Sequence, residues 1–227
     1  MRERPSQKHR SGGPSGPGEA AEGLRADARE NRARILRAAR EAFAEQGIDV
    51  PVTAIARRAG VGVATLYRRF PTRDALVAES FAERFTACRA VLDRALADPD
   101  PWRGFCSFAW QLSAMQVADR GFSEAFLARF PGAVDHDRER ARAEEEIGLL
   151  VERAKESGRV RPDVDRSDVL LLLLANCGVA AEAGPHAPAA SRRLVGHLLR
   201  SFQADPSAPL PEPAPLDLGG AAGLPRR

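Results

Sequence analysis

Apolar residues recur at three- and four-residue spacing through most of this chain, and no stretch alternates apolar with polar long enough to make a strand. That periodicity restricts the chain to an all-α fold, because amphipathic helices without a sheet can bury their stripes only against one another. The breakers then divide it. Asp27 with Glu30 three residues later resembles a capping box, Ile35, Ala39, Ala42 and Phe43 follow on one face, and Gly47 is a natural stop. Pro51 suits the first residue of a short second helix carrying Val52, Ile55 and Ala56 and ending near Gly60. A third short helix spans about 62–70 and Pro71 closes it.

Beyond this the helices lengthen. Thr72 can cap a long fourth helix whose stripe is Leu76, Val77, Phe81, Phe85, Cys88, Leu92 and Leu96. A fifth starts at Pro101 with Phe105, Phe108, Leu112 and Met115 on one face. A shorter one holds Phe126, Leu127 and Phe130. The next covers about 135–157 with Ile147, Leu150, Val151 and Ala154 inward. An almost wholly apolar helix at 167–183 and a last one at about 189–202 bring the expected total to about nine. Residues 1–23 and 205–227, rich in Gly, Pro, Ser and Ala without periodicity, read as a disordered arm and tail. The folded part is expected to comprise a head at 24–75 and a body at 76–204.

Charge is uneven between these parts. The chain's formal net charge is +3, but residues 29–75 hold ten arginines against five carboxylates, while everything after them is slightly acidic. A basic block on a neutral-to-acidic body is the footprint of a local polyanion-binding module. Other classes drop out. The longest apolar run, 169–175, falls far short of the ~20 residues of a membrane span. The polar N-terminus lacks the apolar core of a secretory signal. Cys88, Cys106 and Cys177 form no CxxC pair, which points to a reduced, cytoplasmic setting without structural zinc. His136 lies between Asp135 and Asp137 near Glu144–Glu146, yet has no histidine at i+4, and no GxSxG, phosphate-binding loop or HExxH occurs. Neither an enzyme, a metal site nor a cofactor is expected.

Residues 51–70 carry the functional signal. Two short helices flank "ARRAGVGVAT", where Gly60 permits the corner, and Ile55, Ala56 and Leu66 can dock both onto the first helix. This is helix-turn-helix layout, whose second helix enters the major groove. "RILRAAREAFAEQG", "IARRAGVGVATLYRRFPTRDAL" and "GRVRPDVDRSDV" resemble the TetR family of bacterial transcriptional regulators, most specifically in "TLYRRF" followed by Arg73 and Leu76. Residues 102–200 resemble its SbtR-like branch.

The resemblance implies a homodimeric repressor, released from a double-stranded DNA operator by a small molecule. Thr65 and Tyr67 match positions that hydrogen-bond phosphates, and Val63 and Ala64 match positions that meet base edges. Gly62 stands where serine is usual and leaves room for close approach. Arg69 replaces a usual histidine and Arg73 a usual lysine. Arg68 and Arg69 lie within the basic block, and a phosphate role is expected for at least one of them. The resemblance also raises a cavity between the fourth, fifth and seventh helices. Phe85, Cys88, Phe105, Phe108 and Phe126 are its candidate lining, and few charges interrupt these stripes, which favours an apolar effector.

The helix at 167–183 is apolar all round, which asks for burial on every side. Pairing with a second copy would supply that. Val169, Leu173, Gly178 and Ala181, with Leu194, Leu198 and Phe202 of the last helix, are the expected dimer contacts. A DNA-binding architectural protein without an effector fits the head equally well, and the residues leave that alternative open.

Overall fold

The computed structural model describes residues 17–127 and 134–204, together with Pro211. Its helices are α1 (Pro17–Gln46), α2 (Val52–Arg58), α3 (Val63–Arg69), α4 (Arg73–Ser80), α5 (Ala82–Ala97), α6 (Pro101–Ala118), α7 (Arg120–Leu127), α8 (Val134–Glu156), α9 (Arg166–Glu182) and α10 (Ala187–Ser201), with a 3-10 turn at Gly184–His186 before α10. The described chain is thus all-α with ten α-helices, against about nine expected. The difference comes mainly from the fourth helix. α1 begins at Pro17, so residues 17–23 of the expected disordered arm are helical; residues 1–16 lie outside the described part, as do 205–210 and 212–227 of the expected tail.

The expected long fourth helix breaks at Phe81, whose φ of −110° and ψ of 10° are not helical. Ser80 Oγ donates to the Leu76 carbonyl, a back-bond that bends helices. Backbone hydrogen bonds run on through the kink, from Phe81 N to Val77 O and from Phe85 N to Phe81 O. Phe81 itself is buried, its ring 5.8 Å from that of Phe43 and 6.2 Å from that of Phe122. Packing around one aromatic ring outweighs the regular helix that residues 72–97 would otherwise form.

Two cores lie either side of this kink. The first gathers Ile35, Ala39 and Phe43 of α1 with Ile55, Leu66, Phe70 and Leu76 and, from α7, Phe122 and Ala125. The second joins α5, α6, α8, α9 and α10 around Phe105, Phe108, Leu112, Leu150, Leu173 and Val195. Cys88, Met115 and Phe126 pack on both. Asp100 caps α6, accepting from Arg103 N at 3.0 Å, and Asp165 with Asp168 forms a capping box on α9. The turn before α9 is tied to the end of α10, where Arg161 N donates to Phe202 O and Ala204 N to Arg159 O, both at 3.0 Å.

α9 corrects part of the expected dimer contact. Val169 and Leu173 are buried in the chain's own second core, and Phe202 packs its ring 6.0 Å from Phe105. Their side of α9 and α10 is spent within the monomer. Gly178 and Ala181 stay exposed, and Leu194 and Leu198 are half-buried.

Candidate nucleic-acid interface and effector cavity

α2 and α3 are seven residues each, joined through Gly60 at φ +64°, a left-handed conformation that glycine adopts without strain. α3 is held by one fully buried side chain, Leu66, with Phe70 buried just beyond it. Everything else on it faces outward. Gly62, Val63, Ala64, Tyr67, Arg68 and Arg69 are exposed and Thr65 is half-buried. Val63 and Tyr67, four residues apart, make a ridge of exposed apolar surface, 37% and 44% accessible. Arg68 Nη2 donates to Thr65 Oγ1 at 2.9 Å, which lays the guanidinium back along the exposed face of α3. A hydroxyl partner leaves its positive charge uncompensated.

Other arginines of the basic block are spent inside the head. Arg58 grips Glu45 through two bonds of 2.7 Å and Glu41 through a third of 3.0 Å. These bonds hold the Glu45 carboxyl below its usual range. Arg32 pairs with Glu79, tying α1 to α4, and sits over the Phe70 ring. Arg73 donates to the Ile48 carbonyl and, at 3.2 Å, to Asp49, so the residue expected to touch DNA at the start of the fourth helix holds the loop after α1. Arg57 and Arg69, by contrast, make no ion pair among the described residues. These partnerships join residues up to 47 positions apart and leave no local trace, apart from the Glu41/Glu45 spacing that sets two carboxylates on one face of α1.

A cavity of about 440 Å³ opens between α4, α5, α6, α7 and α8. Its walls include Ala78, Phe85, Cys88, Leu92, Phe108, Leu112, Phe126, Ala143 and Ile147, with Thr86, Arg89, Glu139 and Arg140 on the α5 and α8 side. Four of the five expected lining residues are therefore together. Phe105 is not among them: it stacks on Trp102 at 5.6 Å in the second core, because its position on α6 points toward α10. Burial pushes the Cys88 thiol up to about 12, so it presents a neutral, weakly polar wall. Arg89 is compensated by Glu146 and Asp93, and Arg140 Nη2 donates to the Phe126 carbonyl at 3.0 Å. The expected aromatic Phe130 lies outside the described residues, as does the side chain of His136. Among the described residues no cluster of three or more histidine, cysteine or acidic side chains could hold a metal ion.

The sequence offered no sign of how this cavity meets the head. Phe126 and Phe85 contact Phe122, at 5.9 and 5.7 Å, and Phe122 contacts Phe81, which contacts Phe43 of α1. α7 is pressed against α1: a Cβ on Gly121 would lie 2.9 Å from Phe43 Cβ and 3.0 Å from its carbonyl. Glu124 fastens the same junction, accepting from Ile48 N at 2.8 Å and from Arg120 at 3.0 Å. The cavity wall and the helix that carries α2 and α3 are one continuous packing unit.

Comparison with known proteins agrees with this architecture. Residues 35–80 match the sequence profile of bacterial regulatory proteins of the tetR family, and residues 100–200 match the SbtR-like transcriptional regulator C-terminal domain. Over 117 residues the chain is 35% identical to the HTH-type transcriptional repressor KstR of Mycolicibacterium smegmatis, a match covering 48% of this chain and 57% of that one. The chain thus spans little more than half of that curated relative's length. It is 32% identical to a TetR transcription regulatory protein from Mycobacterium vanbaalenii, covering 79% of this chain and 99% of that one at a TM-score of 0.47. A tetR-family regulatory protein from Rhodococcus RHA1 has the same fold, with a TM-score of 0.61 at 19% identity over 77% of this chain and 98% of that one. No described helix is long and apolar enough to cross a membrane. On the two profiles, which between them take in well over half of its residues, the chain belongs to the tetR family of bacterial regulatory proteins.

Proposed function

We propose that this chain is a cytoplasmic, dimeric transcriptional repressor that holds a near-palindromic operator through α3 and releases it when a small, largely apolar molecule occupies the cavity. The observation that carries this reading is the aromatic run from Phe126 through Phe122 and Phe81 to Phe43, which joins the cavity to the helix that positions α2 and α3. A ligand pressing on Phe126 or Phe85 meets a close-packed path, and packed cores transmit displacement. At the other end Val63 and Ala64, exposed on α3, would meet base edges and thymine methyls, and Thr65, Tyr67, Arg68 and Arg69 would meet phosphates.

Dimerisation follows from the half-sites. Two α3 helices must reach sites one DNA turn apart, about 34–36 Å. The exposed strip of α9, Leu171 with Gly178 and Ala181, lies beside the half-buried Leu194 and Leu198 of α10 and would offer an apolar face to a second copy. A Cβ on Gly178 would meet nothing within 4 Å, so a second backbone can approach. Operator selection with the purified chain, then gel shifts with added apolar metabolites, tests the whole reading. The expected result is one inverted repeat bound by a dimer and released by ligand. Binding without sequence preference, or a monomeric mass on DNA, overturns it. Gly178→Arg is expected to give a monomer in sedimentation that no longer holds the operator.

A further inference from the structure

Behind the cavity lies a cluster of uncharged polar side chains whose hydrogen bonding is incomplete. Gln116 of α6 and Asn176 of α9 are both 0% exposed, and Ser113 and Ser123 are nearly so. Asn176 Nδ2 donates to the Ser113 carbonyl at 3.0 Å and to Gln116 Oε1 at 2.8 Å. That leaves a donor, Gln116 Nε2, and an acceptor, Asn176 Oδ1, without partners, and the hydroxyls of Ser113 and Ser123 as well. Buried amide atoms are costly to leave unpaired, so this many in one place imply something that meets them.

The cluster adjoins the cavity on two helices. Leu112 lines the cavity, and Gln116 follows four residues later on the same face of α6. Phe126 lines it, and Ser123 precedes by three on α7. On both helices polar groups begin one turn, about 5–6 Å, past the apolar wall. α9 closes the third side with Asn176 and with Cys177, whose Sγ lies 3.7 Å from the Ser123 carbonyl. Met115 packs at this junction of the two cores, and an unbranched thioether side chain yields readily to a ligand.

We propose that Gln116 and Asn176 form the inner, polar end of the effector site, and that the effector is an apolar molecule ending in an uncharged hydroxyl. This rests on reading the neighbouring cavity as the effector site. A hydroxyl donates one hydrogen bond and accepts others, which matches Asn176 Oδ1 and Gln116 Nε2 at once. Of this amide pair a ketone would satisfy only Gln116 Nε2. A carboxylate would bring an unpaired charge into a pocket of neutral groups, which is far more costly than burying a hydroxyl. The cavity's charged residues, Arg89, Glu139 and Arg140, lie on the α5 and α8 wall instead.

The test compares 1-decanol, 1-chlorodecane and decanoate on the full chain, by displacement of a fluorescent apolar dye and by thermal shift. 1-Decanol is expected to bind at least about tenfold tighter than either analogue, because 1-chlorodecane leaves the amide pair unmet and decanoate leaves Asn176 Oδ1 unmet and brings a charge into a pocket of neutral groups. Asn176→Leu and Gln116→Met, checked for fold by circular dichroism, should abolish the preference for the alcohol while 1-chlorodecane still binds. Equal binding of alcohol and chloride by the wild-type chain overturns the proposal alone, whatever the variants do. So does a preference that survives both substitutions. Failure of every probe to bind overturns it together with the cavity reading.

Discussion

α3 and α9 use their residues in opposite ways. α3 commits Leu66 alone to full burial and turns Val63, Tyr67, Arg68 and Arg69 to solvent. α9 buries Val169, Leu170, Leu172, Leu173, Asn176 and Cys177 and leaves the narrower strip of Leu171, Ala175, Gly178 and Ala181 outside. The head works on its surface and is cheaply docked, so substitutions there can change recognition without unfolding it. The body works in its interior, where the same side chains line a cavity and hold the fold. Function and stability are separable in the first region and entangled in the second.

The largest expected effect falls where the two regions meet. Phe81→Ala removes the ring that touches both Phe43 and Phe122, and its fully buried site predicts a loss of about 3–5 kcal/mol in denaturant unfolding. Head and body should then unfold in separate steps by circular dichroism and tryptophan fluorescence, since Trp102 and Trp110 both lie in the body. A single transition with little loss of stability breaks the picture of a shared aromatic junction.

Next come the outward groups of α3. Arg68→Ala is expected to weaken operator binding by about 1–3 kcal/mol in fluorescence anisotropy while leaving the melting temperature unchanged. Tyr67→Phe, which removes one hydroxyl, should act in the same direction and more weakly. Unaltered affinity in both would remove these residues from the interface and leave the fold intact.

A pH titration reads the body alone. Burial raises Cys88 to about 12 and Cys106 and Cys177 each to about 11, from a normal value of 9.0. The unfolded thiols therefore release protons first, so their contribution is complete below about pH 9 and is lost as pH rises through 11–12. Replacing all three cysteines with alanine should flatten the alkaline decline in melting temperature. A decline of unchanged steepness means the thiols are open to solvent.

The smallest effect is expected at Arg58. Its three bonds to Glu41 and Glu45 are exposed, and such pairs contribute little. Arg58→Ala should leave both melting temperature and the salt dependence of operator binding nearly unchanged, whereas Arg69→Ala should lower the salt slope by about 1 if that side chain meets a phosphate. Equal effects on the slope would place both on DNA.

Much of the head is legible in the linear order of its residues. Its signals are local: Gly60 at the corner, Pro51 and Pro71 at the helix ends, Leu66 as the anchor, and ten arginines within 47 residues. Each acts over a few positions, so no distant partner is needed to read it. Phe85, Cys88, Phe108 and Phe126 are legible as apolar stripes, but a stripe says only that a face is covered. It does not separate a cavity wall from a packed core, and for that reason Phe105, expected in the cavity, lies in the core instead.

By itself the sequence determined that the fold is all-α, that a basic helix-turn-helix lies near one end, and that the helix at 167–183 is almost wholly apolar. Hydrophobic spacing and backbone breakers dictate these within single helices. Only the tertiary structure decided which arginines are spent at home, because Arg32 with Glu79 and Arg73 with Asp49 meet through the folding of α4 onto α1. It also decided that Val169 and Leu173 belong to the monomer's core while Gly178 faces out. An all-apolar helix carries no phase of its own, so its neighbours choose which side is buried.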